Sequence, residues 1–554
     1  LENNLQDTAY IKSKTCAPML VDVNTGKYLR DGTDFVYWDN STRSAARISA
    51  TTGAEYKGDP DISSTERTVS IAGVSYKCRT TFHYLREEIF SYSLQQAAQI
   101  TGVPRAKIES FAREYATHKP CGIRMGQGMQ RYNYAYQGFR SVATLAALCG
   151  QIGIVGGGAT HMGGALPIFT GDNAANEAWQ NASTWNANRP DSKRTEMRGI
   201  ELYYTVDNKP SGLPKALDYT PDTPNMLWVV CSALVNQSPD FNRLTKEVLP
   251  KIPFVVNQDP FFNATSPYCD LLLPTKSYWE NWDFVVRTPW ILLQKPAIAP
   301  IGESLSDVEI YSGIAKVLGE GYQEYWDRSD KQFVMDRFVD KDTKPGLAGF
   351  NWDEFEKTGI WTIQGADFSP VHTDFNFANT MTKKFEFYTE VIADTANALS
   401  KEDRRQKVPA FGKPYEDPND TSTGALARKY PLVFIQYHDR QSAHTQNLLA
   451  PALRAVAKEP FIEINDEDAK ARDIKHGDIV RVFNDRGEVV VKAHVTPGIL
   501  KGSTAIPAGW APEHFIKGHY QELTHCKLNA VEHLLFESNF AAYDNLVQIE
   551  IYKG

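Results

Sequence analysis

The sequence predicts a multidomain α/β protein in which an open α/β nucleotide-binding sheet precedes a C-terminal β-barrel. Three observations carry this. The apolar runs at 226–232 (MLWVVCS) and 252–257 (IPFVVN), and the run closing on Leu271-Leu272-Leu273-Pro274, are continuous rather than alternating. Strands buried in a parallel sheet read that way, and such sheets bind nucleotides at the carboxyl ends of their strands. The stretch 461–510 divides into closely spaced strands around one short helix, the pattern of a small closed barrel. The length of 554 residues holds three or four domains, and a hydrophobic content of 42% supplies their cores.

Within the barrel stretch, Asn465 is placed to cap a helix whose first turn carries Asp466, Glu467 and Asp468, where the helix dipole favours negative charge. Gly477 stands where that helix should stop. Strands follow at 479–483, 488–495 and 503–506, the first two joined by the tight turn Asp485-Arg486-Gly487. Upstream, 1–60 reads as short strands (15–21, 26–30, 36–39) with Gly and Asp turns. Two helices follow, one capped by Ser93 and broken at Thr101-Gly102-Val103-Pro104, the other carrying Ile108, Phe111, Ala112 and Tyr115 at helical spacing. These read as packing helices. A strand at 122–126 leads into a Gly loop, and a helix at 139–149 ends on a glycine run, Gly150 to Gly158. Helices are expected at 307–318 and from Trp352, a strand at 383–391, a linker at 417–424, and a strand at 431–435 opening the last domain.

Several function classes are excluded. A net charge of −8 argues against nucleic acid. No apolar run approaches the 18 or more residues of a membrane span, and no secretory signal is visible. The seven cysteines, Cys16, Cys78, Cys121, Cys149, Cys231, Cys269 and Cys526, form no CxxC unit, so they mark neither an iron–sulfur nor a structural zinc site. His514, His519, His525 and His533 fit no zinc spacing, and no metal ligand is assigned. The glycines at 153 and 156 imitate a dinucleotide fingerprint, but that motif follows a strand and opens a helix, whereas this run closes one. The chain opens on Leu1 rather than Met, read here as a processed product.

Two places carry polar chemistry. Asp259 lies directly after an apolar strand, where a carboxylate offers two acceptors to a ribose or a guanine edge; the alternative is a turn aspartate with a local capping role. After the 431–435 strand, the loop 437–447 (YHDRQSAHTQN) crowds His438, Arg440, His444, Thr445 and Gln446 together. Charge and paired donors and acceptors there suit a phosphate and a heterocycle edge; the alternative is a solvated loop. The insertion at 160–225, with Trp179, Trp185, Asn186, Asn188 and Arg189, reads equally as a substrate funnel or as an ordinary surface loop.

The block Asn465, Asp468-Ala469, Gly477-Asp478, Val480, Val482, Arg486-Gly487 and Pro507-Ala508-Gly509-Trp510 closely resembles the C-terminal dinucleotide-binding domain of the molybdopterin oxidoreductases, in the dimethyl sulfoxide reductase family. A second block, Asp259, Phe261, Thr265, Asp270, Leu273-Pro274 and Glu280, is similar to the same family's nucleotide-holding segment. The resemblance covers nearly the whole chain in order. It implies a double-psi-like barrel of six strands, and four regions: 1–119 and 300–425 as parts of a discontinuous α/β domain, 120–299 as a Rossmann-like pterin-dinucleotide domain, and 426–554 as the barrel.

It further implies two molybdopterin guanine dinucleotides holding one molybdenum or tungsten, with Asp259 on one guanine and the loop at His444-Thr445-Gln446 on the other. Arg131, with Gln127, would face the active site, since 126–131 matches the family segment that approaches the metal. Asn529 and Asn539 lie where the family makes late cofactor contacts. The sequence departs at Gln127, often Trp in oxide-reducing members, and at Cys231-Ser232-Ala233-Leu234, usually Gly-x-Asn-Pro; Asn236, Ser238 or Asp240 are the residues placed to replace the lost contacts. Neither the family's protein ligand to the metal nor its iron–sulfur cluster is recognisable, so the chain is expected to be the C-terminal portion of a larger catalytic polypeptide. The resemblance implies an iron–sulfur electron-transfer partner subunit, with a membrane-anchor subunit in some members, a small-molecule substrate, and the periplasmic or exported face of a bacterial membrane. The favoured activity is reduction of a sulfoxide or N-oxide by oxygen-atom transfer. The competing readings are a dehydroxylase, transhydroxylase or hydratase on the same scaffold, and a non-catalytic structural homologue.

Overall fold

A computed structural model describes residues 1–52, 54–161, 202–205, 224–287, 289–319, 329–338, 345–364, 375, 377, 380–391, 405–442, 444–446, 450–527, 529 and 541–554. The Trp- and Asn-rich insertion lies almost wholly outside them, and so does Asn539.

The first core is built from both ends of a long stretch of chain. A helix Thr8–Lys14, capped by Asp7, was hidden from the sequence by its length of two turns. Small antiparallel sheets follow, Leu20–Asp22 with Val74–Thr80 and Arg67–Ile71, and Arg30–Asp31 with Asp34–Asp39 and Ser44–Ile48. Ile11, Met19, Tyr37, Phe82 and Leu85 bury with Phe387, Tyr388 and Val408. The Tyr28 hydroxyl donates to the Tyr388 carbonyl at 2.9 Å, and the Phe387 N–H meets Cys16 Sγ at 3.2 Å. The strand expected at 383–391 does not form. Lys383 sits at φ +55, which breaks extended backbone, and pairing is limited to one bridge between Thr15 and Phe385. The alternation there marks core-facing aromatics, not a ladder.

The helices Leu94–Thr101 and Arg105–Thr117 form, the first with a capping box between Ser93 and Gln96. The strand Gly122–Met125, the helix Ala135–Leu148 and the strand Gly158–His161 make a βαβ unit with parallel strands. Its helix begins earlier than the sequence suggested. The glycine run opens the second strand rather than a helix, so it cannot offer the N–H cradle of a dinucleotide fingerprint.

The three apolar runs form a parallel sheet in the order Leu271–Pro274, Phe254–Asp259, Met226–Val230. Burial is shallower than continuous apolarity suggested. Val255 and Val256 of the central strand are buried, but Met226, Val230, Leu271 and Leu272 are 37–50% exposed. The central strand is covered by a neighbour on each side, and each flanking strand by one. Beyond it, the helix Asp307–Leu318 carries a capping box from Ser306 and Glu309. Ser306→Ala is expected to cost about 1 kcal/mol, read as a shift of the urea midpoint.

The last core is a closed six-stranded β-barrel. Its strands run Phe461–Ile464, Ser503–Pro507, Leu432–Tyr437, Asn545–Ile551, Ile479–Phe483, Glu488–Val495, and the last pairs back to the first. Closure joins the first strand to the last, the two-residue strand Lys517–Gly518 adds onto Glu488–Val495, and Phe434, Ile462, Val480, Val489, Ile506 and Val547 fill the interior. Asn465 caps the helix Asp466–Lys470 by accepting the Glu467 N–H at 3.0 Å. That helix ends well before Gly477: Asp473 turns at φ +56, and the Ile474 N–H returns to the Ala469 carbonyl at 3.0 Å, which draws Ile474 into the core. Gly477 serves instead in the turn before the Ile479–Phe483 strand.

Candidate functional site

The parallel sheet places its functional side chains at its carboxyl ends. Asp259 closes the central strand. Its Oδ1 accepts from the Phe261 N–H and its Oδ2 from Asn263 Nδ2, both at 2.9 Å. Burial raises its carboxyl above the usual range, and those two hydrogen bonds oppose the rise. The local capping role is therefore present; a carboxylate with one donor on each oxygen still keeps lone pairs for a ligand. Next to it, Cys231 ends the neighbouring strand at φ +44, an exposed thiol in backbone that favours glycine. This is the first position of the Gly-x-Asn-Pro departure. Asp307 and Asp259 both lie close enough to assist burial in raising its thiol.

From Cys231 the chain turns into Leu234–Gln237 and reaches the barrel. Asn236 is buried, its Nδ2 donates to the Gly509 carbonyl at 3.0 Å, and its Oδ1 has no partner among the described residues. Gln237 Nε2 donates to Thr445 Oγ1 at 3.0 Å. The Tyr520 hydroxyl accepts from the Gly509 N–H and donates to the Asn236 carbonyl, at 3.0 and 2.8 Å. Thr265 is fully buried and its hydroxyl accepts from the Val235 N–H at 3.3 Å, so it braces this turn from below.

Bonded to this turn through Thr445 is the polar loop after the Leu432–Tyr437 strand. The rings of His438 and His444 meet edge to face at 4.4 Å. Burial holds the His438 imidazole below its ordinary value, with His444 and then Arg131 adding repulsion. Arg131, at the end of the turn Gln127–Arg131 that follows the Gly122–Met125 strand, is near enough for its charge to be felt at His438. Its carbonyl also accepts from the Tyr543 N–H at 2.9 Å. Asn529 donates to Asn133 Oδ1, in the same segment, at 2.6 Å. Gln127 sits in that turn and its side chain lies outside the described residues. Arg440 and Gln446 are exposed on the loop.

The structure thus sets His438 edge-on against His444, keeps Arg131 within electrostatic range of His438, and joins the same loop to the Asn236–Gln237 turn through Thr445. Asp259 stands apart, joined to them through the Cys231–Gln237 turn. Gly509 and Tyr520 were missed as site residues; Gly509 lay inside the quoted Pro-Ala-Gly-Trp block, while nothing marked Tyr520.

Two further histidines are structural. His519 is buried, donates to the Trp510 carbonyl at 3.0 Å, and is pushed by burial down to about 4. His525 lies at 3.0 Å from the Asp544 carbonyl, and burial, then Arg486 and Lys527, push it to about 3. Such groups lose stabilisation as pH falls below their unfolded value of 6.5. Burial raises Asp544 from 3.8 to about 6, so its contribution is full at low pH and is lost as pH rises through that value. Between pH 6 and 4.5 two histidines oppose one carboxylate, and these three groups together lower the unfolding free energy on acidification by about 1.4 kcal/mol per pH unit. Asp544→Asn should add about 1.4 kcal/mol per pH unit to the slope of the wild type. Urea unfolding at pH 7, 6 and 5 measures both.

Two stretches of the chain match known families. Residues 99–317 match the family described as "Molybdopterin oxidoreductase", and residues 432–531 match "Molydopterin dinucleotide binding domain". A Halobacterium salinarum protein described as the catalytic chain of a dimethyl sulfoxide reductase is 29% identical over 99% of this chain and 61% of its own length. The dimethyl sulfoxide reductase DmsA of Escherichia coli is 29% identical over 74% of this chain and 51% of its own. The alpha chain of the perchlorate reductase of Dechloromonas aromatica is 25% identical over 87% and 56%. The chain therefore spans between about half and three fifths of these relatives. Acetylene hydratase from Pelobacter acetylenicus shares the fold, with a TM-score of 0.58 and 17% identity over 85% of this chain and 66% of the other. The chain belongs to the molybdopterin oxidoreductases of the dimethyl sulfoxide reductase family.

Proposed function

We propose that this chain is the C-terminal portion of a molybdenum oxidoreductase that carries two molybdopterin guanine dinucleotides and reduces a sulfoxide or N-oxide substrate by oxygen-atom transfer. The observation that carries the reading is the buried Asn236 Oδ1, without a partner among the described residues, on a turn that Gln237 bonds to the loop of the edge-to-face His438–His444 pair. A buried, unpaired carbonyl oxygen is costly unless a donor reaches it, and a pterin ring supplies N–H donors.

The donor set fits the group. Arg131 and the loop histidines suit phosphate oxygens. Thr445, held by Gln237, offers a hydroxyl, and Asp259 offers acceptors to guanine N–H groups. Arg440, Gln446, Asn529 and Asn539 complete the proposed contacts, with Gln127 beside Arg131. When bound, the metal–pterin group supplies oxygen-atom transfer coupled to electron flow. The protein's part is to hold both halves of the cofactor across the cleft, to keep His438 neutral at its rim, and to orient the substrate with Arg131. Among the described residues no helix is long and apolar enough to cross a membrane. An exported location and an iron–sulfur partner subunit complete the proposal.

The complete polypeptide, purified from cells supplied with molybdate or tungstate, tests it. Two guanine nucleotides per metal on acid release are expected, and absence of both metal and nucleotide under every supply would overturn it. Gln127 and the Ala233-Leu234 departure keep a second reading open, transhydroxylase, dehydroxylase or hydratase chemistry on the same scaffold. Turnover of catechols or alkynes with none of sulfoxides or N-oxides would select it.

A further inference from the structure

We propose that Asp544 is a positioning residue that fixes the Arg131 segment to the barrel and thereby sets where the Arg131 guanidinium stands in the cleft. This rests on the role given to Arg131 above. Asp544 is 2% exposed, and its Oδ2 accepts two main-chain N–H groups from segments far apart in sequence, Asn133 at 2.9 Å and Tyr415 at 3.0 Å. One residue earlier, the Tyr543 N–H donates to the Arg131 carbonyl. Consecutive residues of the barrel thus grip positions 131 and 133. The side chain of Asn133 extends the grip, with Oδ1 on Asn529 and Nδ2 on the Lys413 carbonyl at 2.9 Å.

The alternative to this grip is poor. Arg131 ends an irregular turn of five residues, and Tyr134 follows it in left-handed backbone at φ +56. A short turn of that kind has little conformational preference of its own. Losing the carboxylate would orphan two amides at once, and the segment would move to rehydrate them. The charged groups facing Asp544 are Glu416, which repels it, and Lys527, which attracts it. His525, at its carbonyl, is kept neutral by burial. The carboxylate is thus held chiefly by the amides it restrains.

The test uses the complete polypeptide with four variants: Asp544→Ala, Asp544→Asn, Arg131→Ala, and the double Ala variant. Asp544→Ala should speed hydrogen exchange at the Asn133 and Tyr415 amides and lower kcat/KM by about 100-fold, the scale of a 1 Å misplacement. Asp544→Asn keeps an acceptor and should restore both within about threefold. In the Arg131→Ala background, Asp544→Ala should add no further loss, because it acts through Arg131. A full additional loss there, unchanged exchange at the two amides, or failure of Asn to rescue overturns the proposal. If Asp544→Ala yields no folded protein, Asp544→Ser, whose single short oxygen cannot hold both amides, takes its place in the same two backgrounds and gives the same decision. Should the wild type prove inactive on every substrate, the function reading fails alone; the exchange data still decide the grip.

Discussion

Gly509→Ala is expected to empty the barrel side of the cleft. Gly509 sits at φ +103, and a Cβ there would fall 1.8 Å from the His444 carbonyl oxygen. That atom is backbone, so it cannot swing aside as a flexible side chain would. Strained backbone and overpacking together should cost roughly 3 kcal/mol or more. The loop carrying His444 and Thr445 must move away, and both Gly509 contacts, to Asn236 and Tyr520, go with it. Thermal unfolding should show a lower Tm, and acid release should recover guanine nucleotide at least tenfold less than from wild type. A variant matching wild type in both would refute the account of this contact.

Glu416→Ala should produce a loss of stability by another route. Its carboxylate is almost fully buried, paired with the Arg486 guanidinium, and it also accepts from the Leu546 N–H at 2.6 Å. Arg486 in turn donates to the Leu523 carbonyl at 2.7 Å. Removing Glu416 leaves the Leu546 N–H without its acceptor and Arg486, whose side chain is 23% exposed, with the Leu523 carbonyl as its main remaining partner, at a cost of about 1–3 kcal/mol. A urea midpoint unchanged by this substitution would mean that water already serves Arg486. Glu416→Gln keeps the acceptor for Leu546 and should recover part of the loss.

Four of the six barrel strands were legible, because they are short, β-branched and punctuated by turns whose chemistry is local; Phe461–Ile464 and Asn545–Ile551 were not placed. The Ile479–Phe483 and Glu488–Val495 strands and the turn between them begin and end where the sequence placed them. The parallel sheet was legible in kind but not in depth. An apolar run records that a strand is apolar, not how many neighbours cover it. The 383–391 stretch misled because aromatic residues facing a core alternate much as strand residues do.

Within the site, the loop histidines could be singled out since charge and hydrogen-bonding groups crowd into one short segment. Tyr520 and Asp544 could not be. Each does its work on main-chain atoms of distant segments, and no spacing in one sequence records such a partner. The left-handed Cys231 was visible only as a departure from a motif, and its backbone conformation explains why glycine suits that position.

The short run from Lys413 to Glu416 is pinned at three successive points, by Asn133 on the Lys413 carbonyl, Asp544 on the Tyr415 amide and Arg486 on Glu416. The exposed linker at 417–424 begins only after that clasp closes. A protease that cuts the linker would therefore leave two polypeptides that still migrate as one particle. The barrel is fastened to its neighbours by a rivet rather than hung from a tether, and swinging about the linker is not available to it.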